Sequence, residues 1–468
     1  MTTGPASARP EHDRSRALGK AARTHAPLEG HCDVGPAQGR DPVGLLLRQA
    51  ESRVPDLVPI RHGRMLVSPF TFFRGAALPM AADLAGTATS GLRVQLCGDA
   101  HLSNFGAFAS PDRRLVFDLN DFDETLPGPF EWDVKRFAAS LAVAGRDVGL
   151  STKERRGLTL AGVSSYRTSM AQFASQTTLE VWYARLDIEE ALERLAPTVG
   201  AKQVNRTRKA LAKARTRDSM QALSKLTEVV DGRRCIVSQP PLVVPISELG
   251  GGVDAAELTG FLETVVERYT HTLSADRRHL VQQFRLVDVA RKVVGVGSVG
   301  TRAWVLLLEA DDGRQPLFLQ AKEAQRSVLA DYCGEGEHDH QGERVVAGQH
   351  LMQAASDIFL GWQRIEGVDG VERDFFLRQL RDWKFSAPIE RMEPAGLRTY
   401  AGLCGWTLAR AHARSGDRVA IAGYLGRSDR FDRAVLEFAE AYADRTEQDH
   451  AALAAAVADG RAEAVTGL

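Results

Sequence analysis

The chain of 468 residues carries 59 Lys plus Arg against 60 Asp plus Glu, a balance that excludes an overall field aimed at nucleic acid or an anionic membrane surface. Its 44% hydrophobic content suffices for a large core, in two or three domains. The five cysteines, Cys32, Cys97, Cys235, Cys333 and Cys404, lack C-x-x-C spacing, which argues against a disulfide framework or a zinc site and for a reducing cytoplasm.

Residues 1–40 are polar, rich in Arg, Gly, Pro and His, and read as a disordered tail without a signal-peptide core; no later run is long enough to span a bilayer. A short amphipathic helix is expected around Val43 to Ser52, followed by Ser68-Pro-Phe-Thr-Phe-Phe-Arg-Gly75, which mixes aromatics with turn residues. Leu92–Cys97 reads as a strand, Gly98–Gly106 as a polar loop and Leu115–Leu119 as a second strand. Helical spacing runs over Glu131–Arg146, Ser151–Leu195 and Lys202–Leu226. Pro240-Pro241 and Gly250–Gly252 mark a linker, and a helix follows over about 255–283. Val289–Val294, Ala303–Glu309 and Pro316–Ala321 suggest a small antiparallel sheet, the last two joined by the turn Asp311-Asp-Gly313. Helices return at about 342–360 and from 394 onward, with strands at about 373–380.

Gly295-Val-Gly-Ser-Val-Gly300 fits G-x-G-x-x-G, a weak pattern alone in a chain with 42 glycines. A dinucleotide-binding loop runs from strand into helix, whereas Thr301–Leu308 continues as a strand. Strand, glycine loop, strand is the arrangement that covers ATP in kinases, and a glycine-rich hairpin turn is the plainer alternative. Leu317-Phe-Leu-Gln-Ala-Lys322 ends an apolar run on one lysine, placed by alternation on a face with Phe318 and Gln320. A buried ammonium there needs a partner, which ATP phosphates would supply; an exposed strand-end lysine competes with this reading. Glu343 is the best-placed carboxylate to steer Lys322, with Glu335 and Glu337 as competitors, although a first-turn glutamate needs only the helix dipole to explain it.

Gly98-Asp-Ala-His-Leu-Ser-Asn104 is the more specific signal. Phosphoryl transfer needs a carboxylate to orient or deprotonate the acceptor, the role open to Asp99, and an amide oxygen that helps hold Mg²⁺, the role open to Asn104. Asp121 and Asp123 follow the second strand and could bind the same metal. Most loop aspartates are helix caps or turn formers, but three around one hairpin count against that account. His101 and the Glu335–His340 stretch read as hydrogen-bonding loop residues rather than metal ligands.

Gly98-Asp-Ala-His-Leu-Ser-Asn104, Leu119-Asn-Asp-Phe-Asp123 and Gly128-Pro-Phe-Glu-Trp-Asp133 resemble, in order and spacing, the H-G-D-x-H-x-x-N, I-D-F-D and G-x-x-x-x-D-L-A motifs of aminoglycoside phosphotransferases and choline kinases. From Ser68–Ala76 through Arg378–Lys384 to Gly423–Gly426 the chain also resembles the bacterial family known as domain of unknown function 2252, over roughly residues 41–450. The resemblance implies Asp99 as catalytic base, Asn104 and Asp121 as metal ligands, and Asp133 as a buried brace for the catalytic loop. It further implies that Gly295, Gly297 and Gly300 cover ATP phosphates to which Lys322 pairs. Cys97 stands where the phosphotransferase motif has a histidine, and the glycine loop follows the catalytic loop instead of preceding it. The helix Tyr400–His412 resembles the L-A-x-L-H helix that precedes the catalytic loop in those enzymes, which points to circular permutation.

The expected fold is therefore α+β, a protein-kinase-like two-lobe fold with circular permutation. A helical lobe over 41–235 carries the catalytic loop, a linker and connecting helix span 236–284, a β-rich lobe spans 285–385, and helices 386–468 complete the larger lobe. The expected activity is ATP- and Mg-dependent phosphoryl transfer to a small-molecule or protein hydroxyl, with no membrane partner. A nucleotide-binding pseudokinase is the second reading. Nucleic-acid binding through Lys202, Arg206, Lys209, Lys213 and Arg217 is the third, weaker because aromatic residues are not interleaved. Arg74 could bind an anionic substrate or serve in a structural ion pair.

Overall fold

The computed structural model describes residues 9–199, 219–230, 232–249, 264–293, 295–310, 315–367, 370–380 and 383–468, with isolated positions between 205 and 215. The axis of the helical body is Phe130–Asp147, of which Phe130 to Gly145 is buried throughout. A helix hidden on all sides must be enclosed by others. Thr152–Phe173, Pro394–Ser415 and Arg430–Ala458 enclose it, with Leu141, Tyr166, Leu408 and Phe431 in the shared core. Two of these helices cross closely because Gly405 faces the Gly162 backbone: a Cβ on Gly405 would lie 2.2 Å from the Gly162 carbonyl oxygen.

Strands β1 (Arg93–Leu96), β2 (Phe105–Ala109), β3 (Leu115–Leu119), β4 (Leu126–Pro129) and β5 (Leu186–Asp187) pack with this body. β6 (Thr227–Val230) and β7 (Arg233–Ile236) form a hairpin. β8 (Val243–Pro245), β9 (Phe284–Lys292), β10 (Ala303–Ala310), β11 (Pro316–Glu323), β12 (Gly361–Glu366) and β13 (Glu372–Gln379) form an antiparallel sheet in the order β12-β13-β11-β10-β9-β8. Side-chain alternation gives the sheet two apolar faces. Leu306, Leu308, Leu317 and Leu319 meet Tyr269 and Leu273, while Val305, Leu307 and Phe318 meet Ile236 and Val243. β14 (Phe385–Ser386) returns to pair with β2. The fold is thus α+β, with helices and antiparallel sheets, and no helix among the described residues is long and apolar enough to cross a membrane.

Several sequence expectations are corrected. Residues 9–40 are not a disordered tail: Arg9–Ala22 is a helix docked on Arg418–Leu425, and Ala26, Leu28 and His31 are buried behind it. Few apolar residues are needed because the two helices approach through glycine, where a Cβ on Gly19 would meet the Ala420 oxygen at 1.8 Å and one on Gly423 the Arg16 oxygen at 2.6 Å. Ser68–Gly75 is a helix over Pro69–Gly75, started by reciprocal capping between Ser68 and Thr71 and by a proline in its first turn. Part of the expected linker, β8, is the edge strand of the large sheet. The turn Asp311–Gly313 lies outside the described residues, as does most of the basic stretch Lys202–Arg217.

Gly423→Val forces the Arg9–Ala22 helix off its seat. A loss of about 2 kcal/mol in denaturant unfolding, and faster proteolysis within residues 9–40, are the expected outcomes. His31 is fully buried, with its Nε2 2.5 Å from the Tyr424 hydroxyl. Burial, then the charge of Lys135, pushes its pKa from 6.5 down to about 3. The unfolded chain therefore binds a proton below pH 6.5 that the folded chain refuses, so this contribution is complete above that pH and is lost as pH falls toward 3. Denaturation midpoints should drop on acidification, with a shallower slope in His31→Gln.

Candidate functional site

The loop Cys97–Asn104 is fixed by one helix face. Asp133, Arg136 and Ser140 on Phe130–Asp147 stand at i, i+3 and i+7, one side of the helix. Asp133 Oδ2 accepts the Cys97 amide at 2.8 Å, and Oδ1 accepts the Gly98 amide at 3.0 Å. Ser140 Oγ accepts the Leu102 amide at 3.0 Å. Arg136 gives Nε and Nη2 to Asp99 Oδ1 at 2.6 and 2.5 Å and also donates to the Phe73 carbonyl at 2.9 Å. Behind Asp133 sits His412, its Nε2 3.2 Å from Oδ2 and its Nδ1 2.8 Å from the Tyr166 hydroxyl. Asp133 and His412 thus brace the backbone at Cys97 and Gly98. Burial, then the Asp133 charge, raises the Cys97 thiol well above its ordinary value, so it stays protonated.

Gly98 has φ +82°, and a Cβ there would sit 2.4 Å from the Glu124 carbonyl oxygen, so the turn requires glycine. Asn104 Nδ2 donates to the Asp99 carbonyl at 2.7 Å and closes the loop. His101 caps the turn through Nδ1, which accepts the Ser103 amide at 3.2 Å. Burial, against the pull of Asp99, pushes its pKa down to about 4, leaving a neutral ring near pH 7.

The β2–β3 hairpin then delivers Asp121, and buried Phe122 anchors the segment. Lys322 on β11 is buried against the Phe376 ring and donates to Asp123 Oδ2 at 2.5 Å, with Asp121 Oδ1 at 3.8 Å. One cation faces two carboxylates. For Asp121, burial is outweighed by Lys322, Arg378 and Lys384, which bring its pKa down to about 2. For Asp123, burial and then the Asp121 charge push the pKa up despite the bond to Lys322. Arg344 secures the backbone here, donating to the carbonyls of Asp123 and Thr125 at 2.9 and 2.7 Å.

Asp99, Asn104, Asp121, Asp123, Gly295 and Gly297 line a single cleft of about 380 Å³. Lys322 joins it through Asp123, and Ser298 in the glycine loop reaches Asp123 Oδ2 at 3.3 Å. Gly300, at φ +91°, lies against the Arg53 side chain rather than on the cleft lining. Glu343 is displaced as the partner of Lys322: it is partly exposed and faces His338 Nδ1 at 3.7 Å, while the carboxylate on Lys322 is Asp123. Arg53, Arg61, Glu124 and Glu323 also line the cleft, and sequence reasoning passed over them because arginines in a helical segment and acids beside β-structure carry no distinctive spacing.

The donor set suits a divalent cation. Asp121 Oδ1 and Asp123 Oδ1 are buried and accept no hydrogen bond. Among the described residues no three His, Cys, Asp or Glu side chains gather as a cage, and Mg²⁺ needs none, because it takes one or two carboxylates plus phosphate oxygens.

Residues 53–456 match the model of a family described as an uncharacterized protein conserved in bacteria, domain of unknown function 2252, and the chain belongs to that family. The match takes in every cleft residue named above. No curated protein and no solved structure matches the chain.

Asp133→Ala strands two buried amides and leaves His412 without its carboxylate. A cost of about 3–5 kcal/mol in chemical denaturation is expected, together with faster hydrogen exchange of the Cys97 and Gly98 amides.

Proposed function

We propose that the cleft performs ATP- and Mg-dependent phosphoryl transfer to a hydroxyl acceptor, on a circularly permuted kinase-like fold. The observation that carries this reading is convergence: Asp99, Asn104 and Asp121 share one cleft with the Gly295–Ser298 loop, which is far from them in sequence. The glycine loop joins the adjacent antiparallel strands β9 and β10, and Lys322 lies on the next strand, which suits a loop over phosphates and a lysine reaching them. Asp99 would take the proton of the acceptor hydroxyl as its oxygen bonds to the γ-phosphorus and the bond to the β-phosphate oxygen breaks, releasing ADP. Arg136 fixes that carboxylate through Oδ1. Asn104 and Asp121 would hold Mg²⁺, whose charge offsets that of the phosphates when bound. Lys322, now on Asp123, would turn part of its charge to the nucleotide.

Calorimetric titration with ATP, with and without Mg²⁺, tests the reading. The intact protein should bind ATP more tightly with Mg²⁺, and Asp121→Ala should lose most of that gain. Asp99→Asn should spare ATP binding and lower turnover by about 10²–10⁴-fold, the usual scale for a lost general base. The second reading, a nucleotide-binding pseudokinase, is favoured by Cys97 at the histidine position of the motif. Tight ATP binding by the intact protein with no turnover on a broad acceptor panel would establish it over the first.

A further inference from the structure

One wall of the cleft carries more positive charge than it can satisfy. Arg53, Arg61 and Arg74 line it from the segment that precedes the catalytic loop. None forms an ion pair with a carboxylate among the described residues. Arg53 Nη1 donates instead to the Gly297 carbonyl at 2.8 Å and to that of Val299. Arg61 Nη2 donates to Gln49 Oε1 at 2.7 Å and the Gly75 carbonyl at 3.0 Å. Four nitrogens of the three side chains, Nε of Arg53, Nε and Nη1 of Arg61, and Nε of Arg74, are buried without a hydrogen-bond partner.

Stranded donors of this kind cost free energy, and like charges in one wall add to the cost. The carboxylates on the same lining relieve it only in part, because they are engaged elsewhere. Asp99 is held by Arg136, Asp123 by Lys322, and Glu323 by Arg302, while Glu124 accepts the Val328 amide at 2.8 Å. Arg326, a fourth arginine on the lining, is paired with Asp331 and Glu335 and shows what an ordinary surface pairing looks like in this chain. Burial lowers the pKa of Arg53, Arg61 and Arg74 alike, the direction expected of cations that lack an anion.

We infer that Arg74, backed by Arg61 and Arg53, forms an anion subsite that receives a phosphate monoester group of the acceptor. The anion site stands on its own geometry; its assignment to the acceptor rests on the phosphotransferase reading. Two features place the group on the acceptor side. Lys322 and the glycine loop are the elements suited to the nucleotide phosphates, and Arg136, which holds Asp99, the base proposed to face the acceptor, also donates to the carbonyl of Phe73, next to Arg74 in the chain. An acceptor anchored by its phosphate on Arg74 would present a hydroxyl to Asp99. Guanidinium groups suit this task because their fork of donors matches phosphate oxygens.

Titration of the full-length protein with inorganic phosphate tests the inference. Saturable binding that persists in the presence of saturating Mg-ATP, and weakens about tenfold or more in Arg74→Gln but less in Arg74→Lys, is the expected result. Arg74 is the partly accessible member of the three, so its replacement should leave the fold intact, with the circular-dichroism melt as the check. Absence of phosphate binding by the intact protein would overturn the subsite. Loss of phosphate binding when Mg-ATP is added, with ATP affinity itself reduced in Arg74→Gln, would assign the arginines to the nucleotide and overturn the acceptor subsite. Failure of ATP to bind at all would remove the phosphotransferase reading and with it the assignment to the acceptor, while phosphate binding sensitive to Arg74 would still uphold an anion site.

Discussion

The two carboxylate oxygens of Asp133 hold the pair of amides at Cys97 and Gly98, and the geometry of the cleft floor depends on that contact. A loop this polar has few ways to satisfy its backbone when buried. Here the solution comes from a helix buried from Phe130 to Gly145, so the position of Asp99 is inherited from the core rather than from the loop. Arg136 and Ser140 repeat the attachment further along the same face, and His412 ties the arrangement to the Pro394–Ser415 helix. A site supported by side chains that are themselves locked by packing holds its geometry better than one supported by loops.

Charge distribution in the cleft follows a second constraint. Lys322 is the cation between Asp121 and Asp123, and it arrives from the large sheet, whereas both carboxylates belong to the helical body. The ion pair therefore joins three apolar clusters, those on the two sheet faces around Leu319 and Phe318 and the helical core around Phe137. Elsewhere on the lining Arg53, Arg61 and Arg74 carry guanidinium groups that form no ion pair among the described residues. Under the proposed phosphoryl transfer, bound metal and phosphate would give each of these charges a counterpart.

Much of this was legible in the chain. β3 falls on the expected Leu115–Leu119, β10 and β11 on their apolar runs, and Phe130–Asp147 on the helical spacing of Val134, Phe137 and Leu141. Local periodicity was enough for these. The polar loop could be read because Asp99, Asn104, Asp121 and Asp123 lie close in sequence. What escaped depended on tertiary pairing: Lys322 bonds a residue 199 positions away, and no local spacing distinguishes Asp123 from Glu343 as its partner. The N-terminal helix escaped for a different reason. Its seat is made by the absence of side chains at Gly19 and Gly423, which composition counts as disorder-prone residues.

The seating of Arg9–Ala22 against Arg418–Leu425 also bears on how the chain comes to be folded. The helix precedes its docking surface by roughly 400 residues, as the Arg23–Gly423 contact shows, so during translation it waits, exposed, until that surface has been made. Its few apolar residues and many charges suit that interval, because a segment of this kind stays soluble alone and gains its place only when the glycine-lined surface arrives.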